Sequence, residues 1–192
     1  MAGLSRLRAA AAVLVVGVIA GCTSLPEAEA PKGDAFSRAG RFAITATESD
    51  GRQQAVQGGF TWQDTGREYV LDLTNPLGSI EARVQGSPGV ATLTRANGTT
   101  LQAPNPDALA EDALGSPVPV SGLRSWLRGQ LATDTAPAEN VQRDELGRPA
   151  SFEQGGWAAR LSRYDTLGPQ LLVLERQEPG RRIIVRLVVN QP

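Results

Sequence analysis

Over most of the chain, apolar residues recur at every second position in short runs: Phe42, Ile44 and Ala46, then Phe60 and Trp62, then Tyr69, Leu71 and Leu73, then Ile80, Ala82 and Val84. A period of two puts each set on one face of a strand and turns Asp72, Glu81 and Arg83 to the other face. Turn residues separate the runs: Ser49-Asp50-Gly51, Gly66, Pro88-Gly89 and Asn97-Gly98, the last a strong hairpin signal between strands at residues 90–94 and 99–102. The period then changes. Asn105 as N-cap, Pro106 at the first helical position and Gly115 at the far end predict a short helix to Leu114. A second helix, with Ser121 as its cap, puts Leu123, Trp126 and Leu127 on one face and Arg124 and Arg128 one turn apart beside it. After a polar, Ala-rich loop at residues 130–140, strands resume at 141–144, 150–154, 157–163, 170–176 and 181–189, broken by Gly147, Gly155-Gly156, Gly168-Pro169 and Pro179-Gly180. The expected fold is mainly β, with about eleven antiparallel strands and two short helices whose apolar stripes must cover the sheet. A sheet of this size can curl into an unclosed barrel with the helices as a lid.

The turn inside residues 69–84 is Asn75-Pro76-Leu77-Gly78. Pro76 fixes its own φ and Gly78 supplies the freedom a reversal needs, but nothing in turn chemistry calls for Leu77. Two readings stand: a plug folded back over the end of its own sheet, or an apolar finger held in water for a partner or a membrane. Trp126 is similarly open between plain helix-to-sheet packing and a place at the mouth of a ligand cavity.

At the N-terminus, Arg6 and Arg8 precede an apolar run from Ala9 to Ala20, then Gly21 and Cys22. A charged start, a short apolar core and small residues before a cut describe a secretory signal, here residues 1–21, too short to span a bilayer well. Residues 22–40 are rich in Ala, Pro, Glu and Gly and read as a flexible tether before one domain at residues 41–192. The net charge of −1 argues against a nucleic-acid surface. The chain has no histidine and one cysteine, which excludes an intrachain disulfide, the usual zinc sites and Ser-His or Cys-His catalysis. Its carboxylates are scattered along alternating strands, with no glycine-rich phosphate loop beside them, and read as solvated outer faces. No cofactor or metal is expected.

Ile19-Ala20-Gly21-Cys22 resembles the lipobox of bacterial lipoproteins, in which the cysteine is acylated and becomes the new N-terminus. Behind it, in order, come Gly40-Arg41-Phe42-Ala43-Ile44, Gly59-Phe60-Thr61-Trp62, Leu73-Thr74-Asn75-Pro76-Leu77-Gly78, the stretch from Pro119 to Gly129 and Gly156-Trp157. Together these resemble the LolB family of outer-membrane lipoprotein receptors over nearly the whole chain after Cys22. One departure is Pro31-Lys32-Gly33, where the family carries a longer amphipathic segment with a tryptophan. The resemblance implies a lipid on Cys22, an outer-membrane destination and a monomeric domain facing the periplasm. It implies that the protein accepts acylated lipoproteins from the periplasmic carrier LolA and inserts them into outer-membrane lipid, hydrolysing nothing. It implies an apolar cavity for the acyl chains of the cargo, for which the inward parity supplies Phe42, Ile44, Phe60, Trp62, Leu71 and Leu73, with Leu123, Trp126 and Leu127 from the lid. It also matches Leu77, flanked by Pro76 and Gly78, to an exposed apolar loop residue used in the membrane step. The alternative is a structural or lipid-binding envelope lipoprotein without transfer activity, which could share the anchor and sheet and have a filled interior. An enzyme is a third reading, for which a convergent set of polar side chains inside the cavity would be needed.

Overall fold

The computed structural model describes residues 35–190. The signal segment with its apolar run over residues 9–20, Cys22 and the tether as far as residue 34 lie outside the described residues. In chain order the elements are β1 (Phe36–Glu48), β2 (Gln53–Asp64), β3 (Tyr69–Thr74), β4 (Ile80–Ser87), β5 (Val90–Arg95), β6 (Thr100–Ala103), α1 (Pro106–Leu114), α2 (Val120–Trp126), β7 (Glu139–Arg143), β8 (Pro149–Gln154), β9 (Trp157–Tyr164), β10 (Pro169–Glu178) and β11 (Arg181–Val189). All eleven strands join one antiparallel sheet in the order β6-β5-β4-β3-β2-β1-β11-β10-β9-β8-β7. Two meanders, β1 to β6 and β7 to β11, therefore meet at the β1–β11 pair, and the edge strands β6 and β7 do not pair with each other.

One parity of almost every strand is buried. Phe42, Ile44 and Ala46 of β1, Phe60 and Trp62 of β2, Leu71 and Leu73 of β3, and Ile183, Val185, Leu187 and Val189 of β11 form a single core with Leu109, Leu123, Trp126 and Leu127 from the helical region. Asp72 and Arg83 stand on the opposite face, bonded to each other at 2.6 and 2.8 Å. A slip of one residue would put that pair inside the apolar core, so burial sets the register.

The sheet must be strongly curled. Strands β2 and β8 lie five strand spacings apart in the order above, about 24 Å if the sheet were flat. Helix α2 has seven residues, about 10 Å of length, yet it bonds to Asp64 at the end of β2 and to Gln154 at the end of β8. Only a sheet folded around the helix brings both within its reach.

Helix α1 starts as its sequence dictates. The Asn105 side chain accepts the N–H of Asp107, Pro106 occupies the first turn, and Gly115 ends the helix in the left-handed region at φ 68°. The start of α2 corrects the expected cap. It is flanked by Pro119 with no side-chain cap; Ser121 lies inside the helix, where its N–H and hydroxyl both donate to Asp107 at 2.8 Å and tie the two helix starts together.

Two further expectations change. Strand β1 begins at Phe36, inside the stretch read as tether, because Arg38 occupies an inward position that only a partner makes tolerable. Its guanidinium donates to Asp165 at 2.8 and 2.9 Å and to the carbonyl of Pro169 at 2.8 Å. Ile80 does not share the buried face with Ala82 and Val84. Leu73 pairs with Ala82 but Thr74 pairs with Ile80, so Glu81 is an extra residue, and the bulge turns Ile80 outward, where it is exposed.

Candidate apolar core, lid and membrane loop

Asn75 builds the loop between β3 and β4. Its Oδ1 accepts the N–H groups of Leu77 at 2.9 Å and Ser79 at 3.1 Å, its backbone carbonyl accepts Gly78 N–H at 2.9 Å, and its Nδ2 donates to Glu81 at 2.7 Å. Gly78 takes φ 93°, a conformation an L side chain rarely adopts. The loop is thus held by its own first residue, and it presents Leu77 at 93% exposure. Pro76 and the outward Ile80 widen the apolar tip. No plug exists at this position.

The nine residues assigned to the acyl-chain interior are all buried. The structure separates them into two groups. Phe42, Ile44, Phe60, Leu71 and Leu73, joined by Leu114, Val118, Val185 and Leu187, surround a small apolar cavity of about 20 Å³, room for about one water-sized sphere. Trp62, Leu123, Trp126 and Leu127 do not line it and pack farther along, beneath α2. In this conformation the interior is filled by its own side chains, and the cavity they leave is too small for an acyl chain. Leu114 is the last residue of α1 and Val118 lies in the connection to α2, outside any periodic run. Val185 and Leu187 lie on the apolar parity of β11 and were readable from it.

A set of polar bonds holds α2 down. Arg124 donates to the carboxylate of Asp64 at 2.8 and 3.0 Å and to the carbonyl of Gly66 at 2.6 Å, and Arg128 stands 3.6 Å from the same carboxylate. Burial by itself would push the Asp64 carboxyl up, but the Arg124 hydrogen bond, the Gly66 N–H and the charges of Arg124 and Arg128 outweigh it and hold the group below the ordinary carboxylate value. On the other side, Trp126 Nε1 donates to Gln154 Oε1 at 2.9 Å, and that buried amide is completed by the backbone of Ala132 and Ala136. Trp126 meets Phe152 edge-to-face at 5.5 Å, and Trp62 stacks on Tyr69 at 4.7 Å with Arg124 over the Tyr69 ring. Trp126 is thus a packed lid residue with a satisfied N–H. No group of three or more potential metal-ligating side chains occurs among the described residues.

The sequence profile of the family described as "Outer membrane lipoprotein LolB" matches residues 34–191. The chain belongs to the LolB family. Its similarity to individual LolB proteins covers nearly the whole length: 67% identity over 188 residues to the outer-membrane lipoprotein LolB of Bordetella petrii, spanning 97% of this chain and 94% of that one. The LolB of Bordetella pertussis is 68% identical over 180 residues, 93% of this chain and 90% of its own. The LolB of Cupriavidus necator is 40% identical over 154 residues, 79% of this chain and 77% of its own. Among solved structures, a LolA superfamily protein from Nitrosomonas europaea aligns with a TM-score of 0.43 and 10% identity over 84% of this chain and 90% of that one, too loosely to bear on function. Membership of the LolB family makes this an outer-membrane lipoprotein, whose own fold is the unclosed eleven-strand sheet with the two-helix cover described above.

Proposed function

We propose that this LolB protein, anchored by acyl chains on Cys22, accepts acylated lipoproteins from the carrier LolA and releases them into the outer membrane without covalent chemistry on the cargo. The observation that carries this reading is Leu77, 93% exposed on a loop whose own hydrogen bonds hold it out. Cargo acyl chains cannot cross water, at about 0.8 kcal/mol per exposed methylene, so they need an apolar route from carrier to bilayer. The core residues around Phe42, Phe60 and Leu73 supply apolar contacts for them once the α1–α2 cover lifts, and the Leu77 tip meets the bilayer. Without a nucleotide, direction comes from tighter binding of cargo than the carrier achieves, each tenfold in affinity being about 1.4 kcal/mol.

The filled interior, taken alone, favours a second reading, an envelope lipoprotein that transfers nothing. One variant separates the two. Leu77→Glu should still take labelled lipoprotein from the carrier but should fail to deliver it to liposomes, since a carboxylate does not enter the acyl region cheaply. Wild-type protein that captures no cargo at all would decide for the second reading, and equal loss of capture and release in the variant would remove the loop from the membrane step.

A further inference from the structure

Beside the Leu77 loop, on the outer face of the sheet, lies an open groove of about 510 Å³. Its walls include Arg41 of β1 and Arg186 of β11, the exposed Val188 between them, and Pro76 and Gly78 of the loop. Strand register fixes the two arginines relative to each other. Arg41 pairs with Val188 and Arg186 with Ala43, so they are diagonal neighbours on one face of adjacent strands, with Cβ atoms about 7–8 Å apart or less. Both are exposed, and neither shares a salt bridge or side-chain hydrogen bond with a described residue. Elsewhere on this face the contrast is plain: Arg83 is bonded to Asp72 and Arg182 to Glu175. The described lining of the groove contains no Asp or Glu, while Gln57 and Asn190 add amide donors.

Two unneutralised guanidiniums on neighbouring strands, the apolar Val188 beside both and an apolar loop at one end form an amphipathic receptor. From this we infer that the groove binds the phosphodiester headgroup of an anionic phospholipid in the bilayer, with Arg41 and Arg186 on the phosphate oxygens and the acyl chains leading away past Val188 and Pro76 toward Leu77. The inference rests on the reading that the Leu77 loop meets the membrane, and it gives that contact a headgroup preference and an orientation: the β1–β11 seam faces the lipid surface.

The test is vesicle co-sedimentation of the full chain carrying Cys22→Ala, so that no acyl anchor contributes, on pure phosphatidylcholine and on phosphatidylcholine mixed with phosphatidylglycerol. The mixed vesicles should bind more tightly. Arg41→Gln with Arg186→Gln should remove that gain, on the order of twentyfold from two arginines at the surface, and leave binding to pure phosphatidylcholine as it was. Arg67→Gln, a charge change in the turn at the opposite end of β3, should leave the gain in place. Leu77→Glu should weaken binding to both vesicle types; if it has no effect while the double variant still loses the anionic gain, the loop reading fails and the headgroup site stands. Wild-type protein without an anionic preference, a double variant that keeps it, or an equal loss in Arg67→Gln would each overturn the site. So would competition by dissolved glycerol phosphate, which would make the groove a pocket for soluble phosphate.

Discussion

The lid and the β3–β4 loop are both short departures from the sheet, and they are held in opposite ways. The side-chain bonds at the C-terminal half of α2 reach far along the sequence, from Arg124 to Asp64 and from Trp126 to Gln154, and both of these acceptor residues are buried. The loop is fixed by Asn75 alone, through bonds to residues within six positions of it, and nothing from elsewhere in the fold touches its tip. Long-range bonds make the lid's position a property of the whole fold, so moving it must disturb the core. Local bonds make the loop's shape independent of the core, so its tip can enter another phase while the barrel stays as it is.

This contrast breaks most visibly at Trp126. Trp126→Ala removes a fully buried indole and leaves Gln154 short of a donor, and it should cost about 3–5 kcal/mol, read as a shift in the urea midpoint. Asp64→Asn keeps the shape but breaks the ion pair with a half-exposed Arg124, and about 1–3 kcal/mol is expected. Because the Asp64 carboxyl is held low in the folded chain, its contribution is complete above the ordinary aspartate value and is lost as the pH falls through the lower folded value. The stability gap between wild type and Asp64→Asn should therefore close below about pH 4, and a gap that stayed constant down to pH 2 or so would remove the carboxylate from the clasp. At the foot of the loop, Gly58→Ala would place a Cβ 2.0 Å from the Thr74 carbonyl oxygen, a backbone clash expected to cost about 1–3 kcal/mol. Leu77→Ser, one strand end away, should change stability by less than about 0.5 kcal/mol in the same titration. A loss comparable to that of Gly58→Ala would mean that the loop is coupled to the core after all.

The same division decides what could be read from the sequence. Inward parity on β1 through β4 was legible because one apolar face against water leaves a period of two, and the α1 caps were legible because Asn105, Pro106 and Gly115 act on their own neighbours. The bulge at Glu81 was not, since it depends on how β3 and β4 meet, and Ile80 reads as inward until that register is known. The first turn of β1 was hidden for a related reason: its inward positions hold Phe36, Arg38 and Gly40, and an arginine looks like a core residue only beside Asp165, on the far half of the chain. The clasp on Asp64 was invisible in the same way. The helix ends at Trp126, so Arg124 lies on it and Arg128 in the turn just past its C-cap Leu127, and nothing local says that a carboxylate from β2 waits beside both. Leu77 lay at the other extreme, a large apolar residue in a turn that has no use for it.

The seam between β1 and β11 also governs the order in which the molecule can assemble. Each meander is made of neighbouring hairpins and can form from nearby residues, but the bond row that unites them joins the first strand to the last. Closing it requires the longest loop in the protein and should be the late, slow event of folding. Until β11 arrives, β1 is an open edge with a full row of unsatisfied backbone groups, next to a face carrying Phe42 and Ile44. A chain emerging N-terminus first would thus carry this edge uncovered until its last strand arrives, and a nascent chain stopped before Arg181 would have no strand of its own to cover it.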